Sequence, residues 1–422
     1  MKTKNTEFKS QINAVGKLIA STLLFLIMLS ILIQGCKEAC DTEIYTYYEP
    51  VYAPKSEVVK DASLEEPRPI DSPGKIYYKD DYLFINEVDQ GIHVIDNRDR
   101  SNPVSVGFID LPGNKDLAAA GDFLYADNYT DLVVLDISNK SNIMEVNRIE
   151  DVFDAYYYYS AEMGLIVDYV EVQEEIEVDC GPQNYRHYYN DGFDFAALES
   201  GGGSTGIGGS LARFTITGGH LYTVNDYQMK LFDIAIADSP VEGNTVDLGW
   251  GIETIFPYGN KLFFGARSGM HIYDNSNPAE PTYISTFEHV NTCDPVVVQG
   301  DLAYVTLRSG TECETFTNQL DVIDISDATN PELLITHDMQ NPHGLGIYGD
   351  CLFIAEGQYG LKVFNAKDPN LIGERLMAHH QNVHALDVIP LEDVLFMIGE
   401  DGLHQYTYDC ENRFDYLSTV IF

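Results

Sequence analysis

Residues 131–142, DLVVLDISNKSN, set a short apolar run against an aspartate and a polar turn. Leucine and valine over 132–135 read as a strand, and Asp136 with the serine and asparagine behind it reads as the turn that ends it. The same arrangement returns as GIHVIDNRDRSNP from Gly91, MKLFDIAIADSP from Met229 and MHIYDNSNPAEP from Met270. It returns again as LDVIDISDATNP from Leu320 and LKVFNAKDPN from Leu361, and in degenerate form as LHQYTYDCEN from Leu403. A second strand pattern precedes each copy (YLFINE, FLYADN, HLYTVND, KLFFGARSG, LAYVTLRSG, CLFIAEG, VLFMIGEDG). Each of these begins just after a Gly/Asp-type turn. Another strand lies before it, as in ETIFPYGN or DPVVVQGD, and a fourth follows the aspartate turn, as in PVSVGFIDL or PELLITHDM.

Four strands joined by tight turns form an antiparallel sheet, lettered A to D here, and one such sheet cannot bury both its faces alone. Stacking copies in a ring can. The expected fold is therefore all-β: a single β-propeller of four-stranded blades. Asp96, Asp136, Asp233, Asp274, Asp324 and Asn365 mark the period, with gaps of 40, 97, 41, 50 and 41 residues, then 42 to the aligned Thr407. The gap of 50 is a blade with a longer B–C loop, TECETFTN, and the gap of 97 is a blade plus 57 further residues, 154–210. That insertion either leaves a ring of seven blades or hides a worn eighth; seven is the expectation. Its start, DAYYYYSAEMGLIVDYVEVQEEIEV, reads as a β-hairpin, and its end, GGGSTGIGGS, as a linker. The turn residues themselves are expected to accept hydrogen bonds from their own turns, not to catalyse.

Taken together, the copies resemble the LVIVD-repeat family of bacterial β-propeller proteins, whose name is a five-residue strand like LVVLD at 132–136. The resemblance covers roughly residues 70–422 and recurs in register. It implies a propeller on a secreted or surface protein, often of Bacteroidetes. It implies no settled activity, so it supplies no functional residues. The insertion and Thr407 depart from the pattern.

The first residues carry a separate signal. Lys2, Lys4, Lys9 and Lys17 precede an uncharged apolar stretch, Leu18 to Ile33, which ends at Ile33-Gln34-Gly35-Cys36. This looks like the lipobox of bacterial lipoproteins, where cleavage leaves the cysteine to carry acyl chains such as palmitate. A single transmembrane anchor is the alternative, but sixteen apolar residues are short for one. The expected domains are a signal peptide over 1–35, a lipidated tether over 36–72, and the propeller over 73–422 with its insertion at 154–210. Within the tether, EIYTYYEPVYAP (43–54) has β character and is expected to add an edge strand or cover the ring's junction. The first and last copies each look complete, so closure need not share a blade. Lys37-Glu38 resembles a surface-export signal. The expected location is the bacterial cell envelope, with the lipid in the outer membrane and the membrane as partner.

Sixty-six acidic residues against 25 basic ones leave a net charge of −41. Such a surface repels nucleic acid, whose binding requires lysine and arginine on phosphates. Seven cysteines leave six beyond Cys36: Cys40, Cys180, Cys293, Cys313, Cys351 and Cys410. Cys293 starts an A strand and Cys313 lies in the B–C loop of the same blade, so a disulfide between them is expected. Cys351 and Cys410 fall in different blades and are expected to be separate thiols.

Propeller loops gather by type, and the D–A and B–C loops share one face, called the mouth here. The A-strand starts and B-strand ends therefore bring Arg213, Glu253, Arg267, Asp294, Arg308, His343, Glu356, His384 and Glu400 to one ring. Two readings stand: a self-neutralising network, or a pocket in which the arginines hold a small anion or a peptide. His343 and His384 with Glu253 or Asp294 make a poor zinc signature, so no metal is expected. No phosphate loop, nucleophile elbow, HExxH or dinucleotide fingerprint is present, and no catalytic residue or cofactor is assigned. The expected function is a non-enzymatic binding or scaffold module for a protein, peptide or glycan, with the tyrosine-rich insertion as a contact element. A hydrolase or lyase in the channel, and a structural part of an envelope assembly, are the alternatives.

Overall fold

The computed structural model describes residues 41–153, 159–160, 163–178, 207–208, 210, 212–288, 295–309, 317–411 and 413–422. The repeats form seven four-stranded antiparallel blades, each built from consecutive strands. Blade 4 shows the pattern: A Ile252–Tyr258, B Lys261–Ala266, C Gly269–Asp274 and D Thr282–Glu288. The others occupy 73–110, 117–149, 214–247, 296–338, 345–380 and 385–421. A strands of consecutive blades lie side by side. Strands B and C, sandwiched between neighbouring blades, are apolar on both faces: Leu262 to Ala266 is buried throughout, as is Val394 to Gly399. The outermost D strand meets solvent and turns polar, as in VEGNTVD of blade 3.

The turn residues do what their chemistry predicts. Asp136, Asp233, Asp274 and Asp324 each accept the backbone N–H two residues on, at 2.8, 2.8, 2.8 and 2.9 Å. Asp96 and Asn365 do the same at 3.1 Å. Hydrogen bonds from Ser138, Ser276 and Ser326 hold Asp136, Asp274 and Asp324 below the usual carboxylate range. In blade 7, strand C runs on to Tyr408, and Asp409 takes over the role that Thr407 cannot fill, accepting from Glu411 N at 3.1 Å. The first residue of strand C is glycine in blades 1, 4 and 7 (Gly91, Gly269 and Gly402) for a packing reason. A Cβ on Gly269 would meet Phe287 O of strand D at 2.2 Å, and its φ is +150°.

Blades 1 and 7 are each complete, and the ring closes face to face. Ile76, Leu83 and Ile85 pack with Val394, Phe396 and Leu403. Asn97 and Gln405 exchange two side-chain hydrogen bonds at 3.0 and 2.7 Å, and Arg100 pairs with Asp393 at 2.9 Å. The tether is stitched to blades 1 and 2. Leu64–Glu65 adds to strand D of blade 1, and Lys55 bonds Asp131 at 2.6 Å and Asp151 at 2.7 Å.

Two expectations need correction. The 43–54 segment is a strand (Asp41–Ala53), but it joins no blade: it pairs with Gly164–Val178 of the insertion, beside Tyr159–Ser160. The hairpin read from the insertion is thus part of a three-stranded sheet. The chain divides into two compact units, residues 1–50 with 169–191, and 51–168 with 192–422. Among the described residues no helix is long and apolar enough to cross a membrane. The second correction concerns the thiols. Cys351 and Cys410 are disulfide-bonded, with Cα atoms 5.3 Å apart. They belong to different blades, but the A–B turn of blade 6 packs beside the C–D turn of blade 7, so the ring brings them together. Cys36, Cys293 and Cys313 lie outside the described residues.

The bond closes a loop of 59 residues, which corresponds to about 4 kcal/mol of chain entropy removed from the unfolded state. Replacing Cys410 with Ser should therefore lower the melting temperature by several degrees, read by calorimetry under non-reducing conditions. An unchanged transition would show that the bond adds nothing to the ring.

Candidate functional site

The mouth gathers charged side chains because seven A-strand starts and seven B-strand ends converge there. Their pairing follows a division of labour. In blades 1, 2 and 6 the acid at the end of strand B turns inward and holds the loop that leads into its own A strand. Glu87 accepts Ser72 N at 2.6 Å, Asp127 accepts Lys115 N and Asp116 N at 2.8 Å each, and Glu356 accepts Gln340 N at 2.9 Å. Glu356 is fully buried and pairs with Lys362 of strand C, so it braces a blade instead of facing the mouth.

In blades 3, 4, 5 and 7 the equivalent residues stay partly exposed and meet the start of strand A. Arg213 pairs with Asp226 at 3.0 Å, Arg267 with Glu253 at 3.3 Å, and His384 with Glu400 at 2.6 Å. Arg308 donates to His343 Nε2 at 3.4 Å, and Asn341 Nδ2 lies 3.1 Å from the same nitrogen. Burial, then Arg308, then His384, push the His343 imidazole down to about 3, so it stays neutral and its Nε2 accepts. The ring predicted from sequence is thus brought together with its charges largely matched in pairs. Asp294 lies outside the described residues. Among the described residues no three His, Cys, Asp or Glu side chains converge to hold a metal ion.

Below the mouth, the axis holds a piece of the chain itself. Ile207–Gly208 pairs antiparallel with Tyr77 and Tyr78, on the inner edge of blade 1. Ser210 then donates to Asp387 of blade 7 from its amide at 3.1 Å and its hydroxyl at 2.9 Å. Leu345 N of blade 6 donates to the same hydroxyl at 2.9 Å, and Ile255 N of blade 4 donates to Ala212 O at 2.7 Å. Asp116 of blade 2, which also pairs with Lys75, accepts Arg213 N and Phe214 N at 2.8 and 3.0 Å. The segment then becomes strand A of blade 3. The glycine-rich stretch read as a linker therefore ends in a seat made by the inner strands of five other blades.

Sequence reading missed Ser210 and Asp387. A weak signal existed for the aspartate, an acid inside ALDVIP where the other A strands are mostly apolar or hydroxylated. Burial pushes Asp387 up to about 8, against the opposing pull of its Ser210 bonds and of Lys75. Gly344 leaves the space it needs, since a Cβ there would sit 1.8 Å from Asp387 Oδ1.

With this architecture in view, the family model for the LVIVD repeat matches residues 113–151 and 291–338. These windows hold blade 2 with LVVLD and blade 5 with LDVID. The chain carries LVIVD repeats. No curated protein matches the sequence of this LVIVD-repeat propeller at a significant level. Among solved structures, the computationally designed Ika8 protein aligns at TM-score 0.50 and 11% identity, over 84% of this chain and 91% of that one. Sqt1 of Saccharomyces cerevisiae aligns at 0.50 and 9%, over 84% and 87%. BamB from Moraxella catarrhalis reaches 0.48 and 9%, over 80% and 83%. Likeness at such identities is of fold alone.

Asp387 makes a pH prediction. Its folded value of about 8 lies above the ordinary 3.8, so across that window the folded state holds a proton that the unfolded state releases. Stability from this group is full below about pH 4 and falls as pH rises towards about 8. An Asp387→Asn variant should match wild type at about pH 4 and melt several degrees higher at about pH 9. Parallel melting curves across that range would refute the assignment.

Proposed function

We propose that this LVIVD-repeat propeller is a non-enzymatic binding or scaffold module, anchored to the outer membrane by lipid on Cys36 and presenting two surfaces to an envelope partner. The observation that carries the reading is the sheet formed by the tether and the insertion. Ile44, Tyr48, Tyr169 and Val170 lie exposed on it, with Ile44 at 66%. Large apolar side chains on paired strands favour contact with another protein, and tyrosine supplies such contact at low entropic cost. The mouth is the second surface. Its arginines are held in place by Asp226, Glu253 and His343 and remain partly exposed, which suits an anionic group of a peptide or glycan. The Cys351–Cys410 bond supports export, because such bonds persist in oxidising compartments.

A hydrolase or lyase at the same ring is the weaker reading. A general acid–base must change protonation near working pH, and His343 at about 3 does not.

Extraction of membranes with mild detergent, followed by co-purification on the tagged chain, tests the role. A stoichiometric partner should appear, and should be lost when Ile44, Tyr48, Tyr169 and Val170 are changed to serine while the melting temperature stays put. A chain that co-purifies with nothing, or keeps its partner in that variant, does not work through this surface. Cys36→Ser should move the protein from the membrane fraction to the soluble one; retention there would remove the lipid anchor. Arg267→Ala with Arg308→Ala should weaken any anionic ligand of the mouth about ten- to a hundredfold, the range for a lost charged hydrogen bond.

A further inference from the structure

The axis of the ring poses a question that the mouth does not. Residues 154–212 are not needed to join blade 2 to blade 3. The chain leaves the ring at Phe153 and returns at Phe214, whose rings lie 5.7 Å apart. Elsewhere strand A follows strand D after a few residues, as from Asp110 to Leu117 or from Asp247 to Ile252. The described end of the insertion is thus an addition to a connection already made. It nevertheless sits among the inner strands of the ring.

What holds it there is the chemistry of peptide recognition. Blade 1 offers a β-edge at Tyr77 and Tyr78, which Ile207–Gly208 extends. Blades 4 and 6 offer the N–H groups of Ile255 and Leu345, which reach Ala212 O and the Ser210 hydroxyl. Blade 7 offers the Asp387 carboxyl, which receives the Ser210 amide and hydroxyl. On the segment's side these contacts use main chain except for the Ser210 hydroxyl. That is the pattern of strand addition, in which backbone bonds supply affinity and one or two side chains supply selectivity. A core designed only to be filled would close on apolar side chains. Here the ring instead buries a carboxyl group, which is costly unless a donor meets it, and Gly344 is bare so that the carboxyl fits.

We propose that the axis is a peptide-binding site occupied in cis by residues 207, 208, 210 and 212, and that its ligand class is an extended, glycine-rich peptide that presents a serine hydroxyl to the Asp387 carboxyl. The insertion acts as a tethered occupant. Being part of the same chain, it competes at an effective concentration of about millimolar order, which keeps outside peptides off the intact chain. A partner strand of the same chemistry takes the seat when the segment is withdrawn. This site is independent of whatever binds the mouth or the exposed sheet.

The test keeps the chain whole. Ser210→Asp sets a second carboxyl against Asp387 and should unseat the segment. The probe is a synthetic peptide with the sequence of residues 205–212, TGIGGSLA, carrying a fluorophore for anisotropy. The Ser210→Asp chain should bind it, the wild-type chain should not, and the peptide with alanine in place of its serine should bind about ten- to a hundredfold more weakly. Circular dichroism and retention of the Cys351–Cys410 bond confirm that the ring is folded. A folded Ser210→Asp chain that ignores the peptide overturns the proposal, as does equal binding of the alanine peptide. Gly208→Pro, which removes an N–H from the added strand, is the second variant and should open the same site. If neither variant folds where wild type does, the segment is an indispensable part of the ring, and the proposal also fails.

Discussion

A four-stranded sheet with apolar residues on both faces has nowhere to put them except against copies of itself. That constraint organises the molecule. It makes strands B and C continuous apolar runs, lets strand D go polar, and requires the last blade to meet the first. Closure needs no shared strand because Ile76, Leu83 and Ile85 find Val394, Phe396 and Leu403 across the seam. Asn97 and Gln405 then satisfy each other where the two surfaces would otherwise bury unpaired amides.

Radial stacking has a second consequence. Seven inner strands point their free edges at one axis, and backbone groups there need partners as much as those in any core. The segment around Ser210 supplies them for blades 1, 4 and 6 and meets the Asp387 carboxyl of blade 7, while Asp116 of blade 2 fastens the turn into blade 3. The mouth solves a related problem with charge. Convergent Arg, Glu, Asp and His side chains meet in pairs, and His343, buried and flanked by Arg308 and His384, stays neutral.

Much of this was legible in the residues. The recurring aspartate could be read as a turn acceptor because its hydrogen bond reaches only two residues along the chain, and local chemistry does not depend on the fold. The mouth ring could be assembled because, in a propeller, equivalent positions of each repeat land on one face. Pairing within a blade, such as Arg267 with Glu253, follows from the same register. The Cys351–Cys410 bond was not legible, since it joins turns of two blades whose closeness depends on how blades pack. Glu356 looked like its counterparts in other blades, and only its burial against Lys362 sets it apart.

The sequence by itself determined the blade, its period and its turns, because these rest on contacts between residues a few places apart and on a pattern repeated in register; that the copies number seven and not eight was decided by the fold. Tertiary structure alone decided what occupies the axis, which cysteines join, and that the strand near residue 43 pairs with the insertion. Each of these links residues far apart in the chain, where no spacing rule operates. Distance in space is set there by how whole sheets pack around an axis.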